Sequence, residues 1–66
     1  MSNVEFYCNR ACAAVNYGFK SGHEILYVIY SCAAHDPSLT LDELEKVEDS
    51  INMAHIKLME ENYNAD

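Results

Sequence analysis

Three cysteines and three histidines are the side chains in this sequence best equipped for chemistry. Cys8 and Cys12 stand one helical turn apart, and Cys32, His23, His35 and His55 add further thiol and imidazole donors of the kind zinc takes. Structural zinc sites draw two ligands from each of two tight knuckles, whereas here there is one close pair. Small apolar cysteines packed against a neighbouring helix are the simpler reading, and no metal is expected. A cysteine and a histidine could also form a nucleophile and its base. No third orienting group, oxyanion loop or glycine-rich turn accompanies them, and 66 residues can hardly enclose a water-free pocket. The chain is expected to be neither an enzyme nor the holder of a cofactor.

The second constellation is aromatic and basic. Phe6, Tyr7, Arg10, Tyr17, Phe19 and Lys20 place two of the four cations in the first third of the chain. Aromatic rings stack on bases, and Arg or Lys neutralises phosphate, so Tyr7, Arg10, Tyr17 and Lys20 are the candidate ligand-binding residues. The plainer alternative makes Phe6 and Phe19 core anchors and leaves the tyrosines half-buried with wet hydroxyls.

Helices must position these groups. A Ser or Thr is followed three residues later by Glu at Ser2/Glu5, Ser21/Glu24 and Thr40/Glu43, the reciprocal cap of a helix start. Three helices are predicted, roughly 3–17, 22–35 and 41–63. Gly18 suits a left-handed terminator, and Asp36-Pro37-Ser38 cannot continue a helix. Glu24-Ile25-Leu26-Tyr27-Val28-Ile29-Tyr30 is β-branched and aromatic enough for a strand, but nothing else in the chain could pair with it. Short links favour antiparallel neighbours, so the expectation is a single all-α domain: a hairpin of the second and third helices with the first packed across it.

Charge narrows the partners. Residues 1–36 carry two cations against three anions, and residues 37–66 carry two lysines against eight acids, for a net −7 overall. Such a surface repels duplex nucleic acid and anionic membranes. The longest apolar run, Ile25 to Tyr30, is too short to span a bilayer. Three cysteines, an odd number, with no leader-like segment ahead of them point to a reducing cytoplasm.

The apolar pattern asks for a partner as well. Leu44, Val47, Ile51, Ala54 and Leu58 form one seam of the last helix, while Met53, Ile56, Met59 and Tyr63 lie off it. A domain this small buries too little surface for one core to give more than about 3–5 kcal/mol, and self-association would supplement it. Those four off-seam residues are therefore the expected oligomer interface. The alternative is a three-helix core with a few tolerated surface methionines.

The stretch Lys46-Val47-Glu48-Asp49-Ser50-Ile51-Asn52-Met53-Ala54-His55 resembles the last helix of the small phage anti-CBASS sponge proteins. There a Lys, an aliphatic, two acids, a small residue and an aliphatic lead to a Trp-Ala-Asn step, and Met53 and His55 stand in place of the Trp and Asn. Glu24-Ile25-Leu26-Tyr27-Val28-Ile29, a following Cys and an Asp-Pro-Ser loop are also similarly placed. The resemblance implies a compact helical homo-oligomer, such as a hexamer, that sequesters cyclic di- or trinucleotides between subunits without cleaving them. The related anti-Thoeris sponges use a similar hairpin for cyclic ADP-ribose isomers. It also implies roles for an N-terminal tyrosine and a helix-borne lysine, for which Tyr7 and Lys20 are the available positions. The setting would be a host cytoplasm. A second expectation comes from charge alone: a small acidic inhibitor that docks its last helix on a basic host protein, in the manner of a DNA mimic.

Overall fold

A computed structural model of the chain describes residues 2–64, with side-chain surroundings described through Glu61. Most of the described residues are helical, and no strand lies among them. Helix α1 spans Asn3–Ala14 and ends in a single 3-10 turn, Val15–Tyr17; α2 spans Phe19–Ala34; α3 spans Leu41–Asn64. The segment Glu24–Tyr30 lies wholly within α2.

The caps decide where each helix starts. At α3 the reciprocal cap forms in full: the Glu43 amide donates to Thr40 Oγ1 at 3.2 Å, and the Thr40 amide donates to Glu43 Oε1 at 3.0 Å. At α1 half of it forms, with the Glu5 amide donating to Ser2 Oγ at 3.3 Å. The expected cap at Ser21 does not form, because α2 begins three residues earlier than the sequence pattern indicates. Gly18 takes φ 89° and ψ 172°, a conformation open to glycine, and turns the chain from the 3-10 turn into α2 within one residue. Its carbonyl accepts the first α2 bond, from the Gly22 amide at 2.8 Å. Ser21 and Glu24 thus lie inside the first turns of α2.

The loop between α2 and α3 is ordered by Asp36. Its Oδ1 accepts from the Ser38 amide at 2.9 Å and from Ser38 Oγ at 2.7 Å, so the carboxylate closes the turn around Pro37. Leu39 then packs against the core from the loop.

All three helices pack on one another. The first helix packs on the hairpin of the other two, running lengthwise beside α3: Cys8 Sγ reaches the Lys46 carbonyl at 3.8 Å, and Asn16 lines the same groove as Lys57 and Glu61. The small residues of α1 permit this. Ala11 and Ala14 are fully buried, leaving no side chain to hold the helices apart. The core comprises those two with Leu26, Ile29 and Ala33 of α2 and Val47, Ile51, Ala54 and Leu58 of α3, matching the predicted seam. Gly22 is the tightest point. A Cβ there would lie 2.8 Å from Leu58 Cδ1 and 2.9 Å from the Ala14 carbonyl oxygen.

Among the described residues no helix is long and apolar enough to cross a membrane.

Candidate functional site

Two of the four candidate ligand residues come together. Tyr7 and Arg10 lie on α1, three residues apart and so on neighbouring turns of one face. They line a groove of about 460 Å³ between α1 and α2, whose other wall is Ile25, Val28, Ile29 and Cys32. Phe6 completes the α1 side. Its ring meets Tyr7 edge-to-face at 5.6 Å, and the Arg10 guanidinium sits 5.1 Å above its centroid. The groove is thus an apolar floor with a cation held over an aromatic face.

Glu24 stands in the same groove as Arg10. Its carboxylate lines the same groove as the guanidinium, so the site offers one charge of each sign. A phosphate fits the arginine, and the amino group or ring N–H of a base fits the glutamate.

Tyr7 has a structural bond as well. Its hydroxyl donates to Asp36 Oδ2 at 2.8 Å, and Asn3 Nδ2 reaches the same oxygen at 3.4 Å and Ser38 Oγ at 2.7 Å. The bond to Asp36 raises the tyrosine pKa, because a neighbouring carboxylate penalises the phenolate. The Asp36 carboxyl is lowered, chiefly by its two hydrogen bonds from Ser38 and then by those from Tyr7 and Asn3. Only the ring of Tyr7 is therefore available to a ligand.

Tyr17 and Lys20 do not line this groove. Both are exposed, Tyr17 at the end of the 3-10 turn and Lys20 in the first turn of α2. The expected interface residues also separate. Met53 lines a second groove of about 550 Å³ between α1 and α3, beside Cys12, Ser50 and Lys57. Ile56 and Met59 are not part of it; they are 50% and 61% exposed, and Met53 is 58% exposed. The side chain of Tyr63 lies outside the described residues.

Cysteine and histidine are dispersed. Among the described residues no three of His, Cys, Asp and Glu are grouped to hold a metal ion. Cys8, Cys12 and Cys32 are free thiols. His23 and His55 stack across α2 and α3 with centroids 4.6 Å apart and planes 26° apart, and Phe19 abuts His23 edge-on at 4.5 Å. Nearly parallel rings aim their nitrogens side by side instead of converging on one cation. The pair acts as packing, and burial with the neighbouring His23 lowers the His55 pKa.

Sequence reasoning missed Glu24, Ile25, Val28 and Cys32 as groove residues and Asp36 as the partner of Tyr7. The spacing of Ile25, Val28 and Cys32 on one side of α2 carried the first signal; nothing in sequence carried the second. No family model, curated protein or solved structure matches the chain.

Proposed function

We propose that this protein is a non-catalytic binder that sequesters a cyclic di- or trinucleotide, with the groove between α1 and α2 as the contact surface. The observation that supports the reading is the meeting of Arg10 with the rings of Phe6 and Tyr7 over an apolar floor. Such a surface suits a planar base next to a phosphate, and its volume falls within the range of small-ligand sites. The resemblance of residues 24–29 and 46–55 to the phage anti-CBASS sponges supplies the ligand class and the setting, a host cytoplasm. Binding is by stacking and charge; no step breaks a bond in the ligand.

Assembly supplies what one copy lacks. Tyr17 and Lys20 sit outside the groove, so they reach a ligand that extends beyond it or one shared with a neighbouring copy. Homo-oligomer formation through the C-terminal half of α3, with Ile56 and Met59 outermost, would bring several copies' few cations near one ligand.

The test is a thermal-shift screen over cyclic di- and trinucleotides and cyclic ADP-ribose isomers, followed by chromatography of the recovered ligand. A ligand bound only by the folded state raises the melting temperature by mass action, and a sponge returns it intact.

One observation favours a second reading. Asp42, Glu45 and Asp49 are exposed and recur at three- and four-residue steps along α3, forming an acidic row. This row suits an inhibitor of a basic host protein, whose binding would weaken steeply with salt.

A further inference from the structure

The groove between α1 and α2 keeps two opposite charges apart. Arg10 lines one wall and Glu24 the other, and among the described residues neither makes an ion pair. Antiparallel packing explains the separation. Ala14 packs against Gly22 where the chain turns, and Tyr7, toward the other end of α1, reaches Asp36 just past the end of α2. Side chains lean toward the N-terminus of their own helix, so on antiparallel neighbours they lean in opposite directions. Arg10 accordingly leans back over Phe6, 5.1 Å from its ring centroid, while Glu24 stands toward the Gly22 end.

An acid in this position is costly for a groove that binds nucleotides. A cyclic dinucleotide carries a negative charge on each phosphate, and Glu24 repels both. The carboxylate favours only a ligand that gives it hydrogens, because an ionised carboxylate accepts and does not donate. The bases differ in what they give. The pairing edge of guanine presents a ring N–H and an amino group side by side, two parallel donors that match two carboxylate oxygens. Adenine and cytosine present an amino group next to a ring nitrogen whose lone pair would face the carboxylate. Uracil presents one N–H between two carbonyl oxygens.

We infer that Glu24 is a specificity-determining residue that selects guanine. Its carboxylate accepts from the ring N–H and the amino group of the base, while Arg10 holds a phosphate of the same ligand. Val28 stands one helical turn from Glu24 in the same wall, so the apolar floor begins beside the carboxylate and takes the face of the ring. Two parallel bonds to a charged acceptor are stronger and more selective than one bond between neutral groups. This inference rests on the proposed sequestration of a cyclic nucleotide at this groove and names the base.

Calorimetric titration of wild type and Glu24→Gln with cyclic di-GMP, cyclic di-AMP and cyclic di-IMP tests it. The last of these keeps the ring N–H of guanine and lacks its amino group. Wild type is expected to bind cyclic di-GMP about tenfold or more tighter than cyclic di-AMP, with cyclic di-IMP between them. Glu24→Gln should reverse the order. Its amide exchanges one acceptor for a donor, which suits the amino group and ring nitrogen of adenine, and loss of the charge relieves the repulsion. Cyclic di-GMP should therefore bind more weakly and cyclic di-AMP more tightly. Glu24 is exposed, so the variant is expected to keep the wild-type melting temperature.

A Glu24→Gln variant that binds both ligands more tightly shows a carboxylate that only repels, and overturns guanine selection while sequestration stands. Equal wild-type affinity for cyclic di-GMP and cyclic di-AMP does the same, as does the absence of heat with all three ligands. Absence of heat with every cyclic di- and trinucleotide overturns sequestration as well.

Discussion

The Tyr7 hydroxyl donates to Asp36 Oδ2 at 2.8 Å, tying the first helix to the loop that leads into the last. The contact joins residues 29 apart in sequence and pins α1 to the α2–α3 loop. Tyr7→Phe keeps the ring in the groove and removes this bond. It should lower the melting temperature while leaving ligand stacking in place, whereas Tyr7→Ala should impair both. Thermal melts with and without nucleotide separate the two effects.

Acid should weaken the same tie. The Asp36 carboxyl is held below its ordinary value of 3.8, mainly by Ser38 and further by Tyr7 and Asn3. The stability it contributes is complete above the unfolded-state value and is lost as pH falls from there through the lower folded-state value. Melting temperatures of wild type and Asp36→Asn should therefore converge as pH drops below about 4. A gap that stays constant down to pH 2.5 contradicts the linkage.

His55 should make stability depend on pH in a second window. Burial, then the neighbouring His23, holds its pKa below 6.5. The unfolded chain takes up this proton first, so stability is complete above about 6.5 and declines as pH falls toward the folded value. His55→Gln should flatten the curve below about pH 6.5. An unchanged slope in that variant assigns the dependence elsewhere.

Gly22→Ala pits two effects against each other. Alanine in a helix is favoured over glycine by up to about 1 kcal/mol. Leu58 could turn aside from the new methyl, but the Ala14 carbonyl at 2.9 Å is backbone and cannot move without shifting α1. Overpacking of this kind costs about 1–3 kcal/mol, so net destabilisation is expected. In a domain of this size that is a large part of the total. Urea denaturation reads it directly, and a variant more stable than wild type contradicts the close packing of α1 on α2.

Thr40→Ala should cost about 0.5–2 kcal/mol in the same assay, because it removes the oxygen that accepts the Glu43 amide. Ser21→Ala should have little effect, since Ser21 caps nothing. Equal losses in the two variants would contradict the observed start of α2.

The sequence made the helices legible because periodicity and caps are local. Of the predicted seam, Val47, Ile51, Ala54 and Leu58 are buried and Leu44 is partly buried against them, and Thr40 with Glu43 caps as predicted. What escaped was set by single residues or by distant ones. Gly18 begins α2 at once through its own backbone, a choice that overrides the Ser21/Glu24 pattern. The lengthwise packing of α1 depends on Ala11 and Ala14 being small, which periodicity does not weigh. Tyr7 and Arg10 were legible as chemical types, and their meeting in one groove follows from their spacing. The sharing of one groove by Glu24 and Arg10 and the bond of Tyr7 to Asp36 depend on tertiary packing, and Lys20 lies in α2 away from the groove to which its charge had assigned it.

Calorimetric titration of wild type and Arg10→Glu with cyclic di- and trinucleotides is the most direct test of the proposed function. Arg10 is exposed, so the substitution replaces the groove's one cation with a second acid without emptying the core. Wild type should bind at least one of these ligands, and Arg10→Glu should bind it at least tenfold more weakly, a loss of about 1.4 kcal/mol or more. Absence of heat with every ligand, or equal affinity in the two proteins, contradicts nucleotide sequestration at this groove.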